Sequence, residues 1–293
     1  MIRVHVTVSE NSIPYYEYLV SNFKRLSSGA NELIFYAHCL DLKSFRILSD
    51  GQMADKLIEV YKHSQFFVTQ NFKDYLWQIA TYIGIYRPMK GSNGHAAGLN
   101  SSFAIAGGEG IDIISDSDIV MLMKDWDVWV TDLLTEYGII GTSYEPIGGK
   151  SSGFGLVQTY KNKPTLTWCA LASRYDWKDI DTSPEKSSNI KIDSSELSDL
   201  YNLPVGYELV RDVGWKIPGF LCGKSIPYLA LAQVKSDSPL SFIKTGENYH
   251  EEYQFNGVPV LAHQRGSHQH SFRQSVISSS FYDACDSYLS AKF

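Results

Sequence analysis

Hydrophobic and polar positions in the first 140 residues change repeatedly from one periodicity to another. Short apolar or alternating segments typical of strands occur at residues 2–8, 32–39, 66–68 and 111–114. Apolar residues recur at helical spacing in four other segments, at 15–26, 42–48, 95–106 and 126–137. This order of strands and helices predicts an α/β sheet with helices on both faces.

The second half of the chain follows a different pattern. Glycines cluster between 148 and 155, and a polar stretch at 173–202 predicts a mobile loop with one short helix near 194–200. A final amphipathic helix is predicted through 277–288. Short strands are predicted at 156–160, 165–171, 207–210 and 259–262. No segment has the composition of a linker, so we expect one domain over 1–293.

Composition and charge narrow the classes of function. The chain has 293 residues, 44% of them hydrophobic, and a net charge of −6. A basic face for nucleic acid or anionic lipid is therefore not expected. No apolar run approaches the ~18 residues that span a bilayer, and the first residues lack the apolar core of a signal peptide. With four widely spaced cysteines, these features favour a cytoplasmic protein with reduced thiols and no transmembrane segment. They leave the oligomeric state open.

The acidic triplet Asp116-Ser117-Asp118 directly follows the apolar segment at 111–114. Ligands of open α/β sheets bind at the carboxyl ends of the strands. Two aspartates one residue apart on extended backbone point the same way, so they could hold a divalent cation that neutralises a departing diphosphate. The same pattern recurs at 125–127, at a helix start, and at 179–181, in the polar loop. The spacing alone is equally consistent with a solvated turn.

A second candidate segment leads into the helix before this triplet. Small residues around Gly91 and Ser92, followed by a helix N-terminus near His95, are typical of an anion pocket. Arg87 and Lys90 add positive charge. A plain capped turn explains the same residues.

A third candidate segment lies near the C-terminus, where three of the eight histidines fall within residues 263–270. His263 follows a predicted strand and could ligate a metal. Arg265 and Ser267 could contact phosphate. We interpret His268 and His270 as exposed loop residues.

Three segments occur in this order, GSNGHAAGLN, IDIISDSDIVML and LAHQRGS. Together they resemble the GT-A-fold nucleotide-sugar glycosyltransferases, over roughly the first half of the chain plus 258–267. The resemblance implies a Rossmann-like α/β domain with a mixed central sheet and flanking helices. Residues 1–140 would be the nucleotide-sugar-binding half, and 141–293 the acceptor-binding half with a C-terminal metal ligand. In its size, the chain resembles soluble enzymes of bacterial, phage or large-virus glycan synthesis. If the protein is viral, the expected location is the cytoplasm of the host.

The resemblance also implies an enzyme that moves a sugar from a nucleoside-diphosphate sugar to a glycan or other hydroxyl acceptor. Asp118 and His263 would ligate Mn²⁺ or Mg²⁺, and Asp116 would contact the metal or the ribose. The first strand and the loop after it would hold the base, and residues 91–95 would line the donor sugar or phosphate. The residues expected to contact substrates are Val8, Glu10, Arg87, Lys90, Gly91, Ser92, His95, Asp116, Ser117, Trp168, Trp215, Arg265 and Ser267.

The catalytic base does not follow from the resemblance. Our candidate is Asp212, because a carboxylate near Trp215 could deprotonate an acceptor hydroxyl while the ring holds a sugar. Glu208 is the substitute. Direct displacement with such a base would invert the anomeric configuration. Asp212 could equally pair with Arg211 or Lys216 on a surface turn.

Two other functions fit parts of the sequence. The aromatic content of 13% would suit a carbohydrate-binding protein or an inactive relative of the transferases. Gly149-Lys150-Ser151-Ser152-Gly153 matches G-x-S-x-G, and Asp212 and His263 follow in the order of an α/β-hydrolase. That motif needs a strand before the serine and a helix after it, whereas here a strand is predicted after it.

Overall fold

The computed structural model describes most of the chain. The described residues are 1–8, 15–37, 55–61, 64–65, 91–106, 110–143, 163–185, 190–201, 205–206, 208–209, 211, 213–234, 250–264 and 271–293.

The described residues form six helices and thirteen strands. The helices are α1 (Tyr16–Leu26), α2 (Gly91–Ile105), α3 (Trp126–Leu133), α4 (Ser195–Tyr201), α5 (Ile217–Gly223) and α6 (Ser271–Lys292). The strands are β1 (Ile2–Val8), β2 (Asn31–Ala37), β3 (Lys56–Tyr61), β4 (Ser64–Gln65), β5 (Ile111–Asp116), β6 (Ile119–Met121), β7 (Ile139–Thr142), β8 (Trp168–Leu171), β9 (Ile190–Lys191), β10 (Glu208–Leu209), β11 (Tyr228–Val234), β12 (His250–Phe255) and β13 (Val258–Gln264).

One mixed sheet joins eleven of the described strands, in the order β4-β3-β2-β1-β5-β8-β7-β11-β12-β13-β6. Strands β3, β2, β1 and β5 run parallel to one another, and β7 runs parallel to β11. Strand β8 lies antiparallel between β5 and β7, and the β12-β13-β6 edge is antiparallel. The expected α/β fold with a mixed central sheet is therefore confirmed. Strands β9 and β10 form a separate pair.

Helices pack on both faces of the sheet, and its central parallel strands are buried on both sides. On one face Val4 and Val6 of β1 are fully buried in a core that includes Phe23 of α1 and Trp126 of α3. The other face has its own core, to which α2 and α5 contribute Leu99, Phe103, Ile217 and Leu221. Each such large side chain contributes roughly 1.5–3 kcal/mol when it leaves water.

Hydrophobic periodicity in the sequence predicted several of the observed strands and helices. Strand β1 has the predicted bounds, and α1, β5, α4 and β13 lie where they were expected. Helix α2 begins at Gly91, four residues before the predicted start, so 91–95 is helical instead of a turn preceding a helix. Strands β3, β4, β6, β7, β9, β11 and β12 and helix α5 were not predicted. The predicted elements at 42–48, 66–68 and 156–160 lie outside the described residues.

Within the described residues, no helix is both long enough and apolar enough to cross a membrane. The division into a half at 1–140 and a half at 141–293 stays a prediction.

Candidate metal centre

The acidic triplet lies at the turn that joins β5 to β6. Asp116 is the last residue of β5, Ser117 and Asp118 form a turn, and β6 starts at Ile119. Strand β6 pairs antiparallel with β13, with Ile119 opposite His263. The backbone carbonyl of Asp118 accepts a hydrogen bond from the Gln264 amide at 3.1 Å. The sequence predicted both aspartates on one extended strand, and this prediction is wrong. The turn after β5 brings their carboxylates together instead.

Asp116, Asp118 and His263 form a cluster with the composition of a metal site. One ligand atom from each lies within 4.8 Å of the other two. Asp118 and His263 are only 3% and 5% exposed, whereas Asp116 lies at the open side. Two carboxylate oxygens and one imidazole nitrogen suit a small divalent cation. The residues present therefore fit the metal that the sequence suggested.

A further carboxylate contacts His263 from the neighbouring strand. Glu251 of β12 lies directly opposite His263 of β13, and its Oε2 is 3.1 Å from His263 Nδ1. The other ring nitrogen, Nε2, is 3.3 Å from Asp118 Oδ1. Metal-binding histidines usually hold one ring nitrogen against such an acceptor, and the other then faces the metal.

The electrostatics of this cluster favour positive charge. Burial opposes the charged form of His263, but Asp118 and Glu251 outweigh it and raise the pKa of His263 to about 10. Without a metal, a proton on the ring balances part of the carboxylate charge. A divalent cation would take the place of that proton, as metal binding to histidine requires the neutral ring.

His95 of α2 lies beside the open member of the cluster. Its Nε2 is 3.0 Å from Asp116 Oδ1, and its side chain is about one-third exposed. Helix α2 can lie close to β1 because residue 98 is glycine. A Cβ at that position would lie 2.5 Å from Thr7 Cγ2. Thr7 of β1 is the register partner of Asp116, and its Oγ1 is buried without a hydrogen-bond partner among the described residues.

The other two D-x-D sequences have structural roles. Asp127 accepts hydrogen bonds from the Ser28 amide and hydroxyl and from the Gly29 amide. Asp125 has a left-handed backbone (φ 55°), and its side chain makes no cap hydrogen bond to α3. Its backbone carbonyl accepts the first amides of α3 instead.

Asp179 and Asp181 of the third D-x-D pair with different lysines. Asp181 is 2.6 Å from Lys216 Nζ, and Asp179 is 3.4 Å from Lys224 Nζ. Their carboxylates therefore diverge, and each already has a cation of its own. Only the first D-x-D joins a metal-type cluster within the described ranges.

Three predicted substrate contacts lie in the interior. Trp168 of β8 is fully buried in the core, and its expected contact with the acceptor stays a prediction. The side chain of Val8 is also fully buried in that core. Trp215 is 8% exposed, and its ring already contacts Arg211 and Lys216, at 5.1 Å and 5.4 Å. A sugar would therefore need those two cations to move.

The remaining predicted residues divide into two groups. Ser117 is buried within the turn of the cluster, Gly91 and Ser92 begin α2, and Glu208 lies in β10, opposite Lys191. Others lie outside the described residues: Glu10, Arg87, Lys90, Ser151, Asp212, Arg265 and Ser267.

The two cations considered as partners of Asp212 each contact another carboxylate. Arg211 forms an ion pair with Glu185. Lys216 Nζ lies 2.6 Å from Asp181 and 3.4 Å from Glu185. Burial opposes ionisation of Asp181, but hydrogen bonds from Lys216 and Ser183 prevail and lower its pKa to about 2.

Comparisons with known proteins find similarity only at the level of structure. No family model matches the chain, and no curated protein matches it. The chain is similar to the galactosyltransferase LgtC in complex with donor and acceptor sugar analogs, with 14% identity over 98% of this chain and 96% of that one (TM-score 0.43).

Two further solved structures are similar over smaller shares. The mannosyltransferase PcManGT from Pyrobaculum calidifontis, in complex with GDP-Man and Mn²⁺, is 14% identical over 59% of this chain and 44% of its own (TM-score 0.35). S. aureus TarS 1-349 in complex with UDP-GlcNAc is 13% identical over 83% and 61% (TM-score 0.38). This chain thus spans less than half of the mannosyltransferase chain. With TM-scores this low, the function has to follow from the site itself.

Proposed function

We propose that the protein is a metal-dependent glycosyltransferase, which moves a sugar from a nucleoside-diphosphate sugar to a glycan or other hydroxyl acceptor. The observation that carries the proposal is the cluster of Asp116, Asp118 and His263 at the carboxyl end of β5. That end is where open α/β sheets bind their ligands. The cluster has an open side at Asp116 and a buried side at Asp118 and His263.

The charge of the cluster explains why a metal is needed. Asp116, Asp118 and Glu251 surround a single histidine, and such a group would repel a diphosphate. A bound divalent cation would neutralise the carboxylates and the charge that develops on the leaving diphosphate. The imidazole ligand favours Mn²⁺ over Mg²⁺, which prefers oxygen ligands and retains water.

Each residue of the cluster has a distinct task in this proposal. Asp118 and His263 anchor the metal from the buried side, and Asp116 completes the set where the donor enters. His95 holds the Asp116 carboxylate from α2, at 3.0 Å.

We also propose Asp212 as the base that deprotonates the acceptor, with inversion at the anomeric carbon and Glu208 as substitute. The support is the position of the residues next to it. The Gly214 amide donates to Thr182 O at 3.0 Å, and Thr182 Oγ1 donates to Ala96 O at 3.1 Å. Thr182 therefore links Gly214, two positions from Asp212 in sequence, to the helix that carries His95.

The geometry disfavours a serine hydrolase that uses Ser151. Such an enzyme needs a histidine nitrogen to activate the serine. Both ring nitrogens of His263 already face carboxylates, Nε2 at Asp118 and Nδ1 at Glu251.

A thermal-shift screen of UDP, GDP, CDP and dTDP sugars, with and without Mn²⁺, tests the function. One sugar nucleotide should raise Tm only when Mn²⁺ is present, and Asp118→Asn should remove that shift. Asp179→Asn is the matched control, because Asp179 belongs to a D-x-D whose carboxylates bind lysines.

Absence of a Mn²⁺-dependent shift with every nucleotide would contradict the proposal. Release of nucleoside diphosphate with Mn²⁺ separates a transferase from a protein that only binds carbohydrate. A protein that releases no nucleoside diphosphate but still binds glycan would favour a carbohydrate-binding function.

A further inference from the structure

Strand β12 presents two polar side chains behind the buried metal ligand. Tyr253 lies two residues from Glu251, on the same face of the strand, and its Oη donates to Glu251 Oε2 at 2.7 Å. That same oxygen is 3.1 Å from His263 Nδ1. Tyr253 is fully buried, and Glu251 and His263 are each at most 6% exposed. A chain of contacts thus runs from Tyr253 through Glu251 to His263.

We propose that Glu251 and Tyr253 are positioning residues for the metal, which set the orientation and the tautomer of His263. This proposal rests on the metal site of the proposed function. Glu251 accepts the Nδ1–H of His263, which leaves the Nε2 lone pair directed at the metal. Tyr253 holds the carboxylate in the conformation that makes this contact.

The strand register makes the arrangement rigid. Glu251 and His263 are directly opposite in the antiparallel β12-β13 pair, and His263 is in turn opposite Ile119 of β6. Side chains opposite each other on one face lie about 4.5–5.5 Å apart at Cβ. The imidazole is therefore held between the Glu251 carboxylate and the turn that carries Asp118, with little freedom to rotate.

The adjacent residue Glu252 provides a natural control. It is also a fully buried carboxylate of β12, and it accepts a hydrogen bond from Gln254 Nε2 at 2.6 Å. Because side chains alternate along a strand, Glu252 points to the face opposite that of Glu251. Loss of its charge therefore tests the effect of removing a buried carboxylate without touching His263.

The experiment measures Mn²⁺ binding to the full chain by calorimetry, without nucleotide, and Tm in EDTA for each variant. Glu251→Gln should weaken Mn²⁺ binding about 10- to 100-fold, the usual effect of losing such a partner. Tyr253→Phe should weaken it less, by under about 10-fold. The double variant should bind Mn²⁺ no more weakly than Glu251→Gln alone, because Tyr253 acts through Glu251.

Four results support or overturn the proposal. Glu252→Gln should keep wild-type Mn²⁺ affinity whatever its Tm in EDTA, and Glu251→Asp should recover part of the affinity lost in Glu251→Gln. Wild-type affinity in both Glu251→Gln and Tyr253→Phe would overturn the positioning role and leave the proposed function intact. Failure of the wild-type chain itself to bind Mn²⁺ would overturn the proposed metal site, and with it this proposal. Should Glu251→Gln fail to fold, Tyr253→Phe decides alone.

Discussion

Strand β5 carries a carboxylate near each end, and the two ends have different surroundings. Near the start, Asp112 is 1% exposed and accepts hydrogen bonds from Arg3 Nε and Nη2, both at 2.7 Å. His5 Nε2 lies 2.7 Å from the same carboxylate. At the far end, Asp116 and Asp118 share their surroundings with Glu251 and His263.

The difference follows from the residues that β1 supplies at each register position. Arg3 is the partner of Asp112, whereas the neutral Thr7 is the partner of Asp116. The first carboxylate is therefore compensated within the chain and serves stability. The second end has more carboxylates than cations and suits a divalent ion. The balance of charge around an acidic residue thus indicates its function better than its burial does.

The largest expected effect is at the metal end. Asp118→Asn should abolish Mn²⁺ binding and reduce Mn²⁺-dependent transfer by at least ~1000-fold, because the metal supplies several kcal/mol of charge stabilisation. Calorimetry measures Mn²⁺ binding. Release of nucleoside diphosphate from the sugar nucleotide found in the thermal-shift screen measures the transfer rate. Asp179→Asn should retain Mn²⁺ binding and Mn²⁺-dependent transfer. Transfer by Asp118→Asn at the wild-type rate would contradict the difference in role between the two ends of β5.

At the compensated end, the expected loss is one of stability. Asp112→Asn leaves the Arg3 guanidinium without its buried counter-charge, and this should reduce the free energy of unfolding by about 3–5 kcal/mol. Urea unfolding measures the change. Mn²⁺ affinity should stay at the wild-type value, and a parallel loss of Mn²⁺ binding would contradict the separation of roles.

Metal binding should itself stabilise the fold. At a free Mn²⁺ concentration about 100 times Kd, the free energy of unfolding should rise by about 2.7 kcal/mol. Chemical unfolding with Mn²⁺ and with EDTA measures the difference. Asp112→Asn should keep this increment and Asp118→Asn should lack it, so an increment that survives in Asp118→Asn would place the ion elsewhere.

The smallest effect concerns pH at the compensated end. Burial, which outweighs the contact with Asp112, lowers the pKa of His5 below its ordinary 6.5. The unfolded chain therefore takes up a proton before the folded one, and stability is lost as pH falls below about 6.5. The loss should reach at most ~1.4 kcal/mol per pH unit for this one group. His5→Gln should flatten the urea-derived profile between pH 6.5 and 5.5, and an unchanged slope would contradict the assignment.

The amino-acid sequence located the principal parts of the site before any tertiary information. The apolar segment before Asp116 predicted a buried strand, and the strand before His263 was predicted as well. Local periodicity suffices for such elements because they are determined by neighbours a few residues away. Glu251 and Tyr253 were missed, although they alternate along β12, because no strand was predicted at those positions.

What the sequence by itself determined is the mixed α/β pattern and the presence of three acidic D-x-D candidates. The tertiary structure decided which of them joins a histidine in a cluster that could hold a metal ion. Asp127 binds the Ser28–Gly29 turn and Asp181 binds Lys216, so only Asp116 and Asp118 converge with a histidine, His263, that is more than 140 positions away. That convergence depends on the pairing of β6 with β13, and pairing between such distant segments leaves no periodic trace in the sequence.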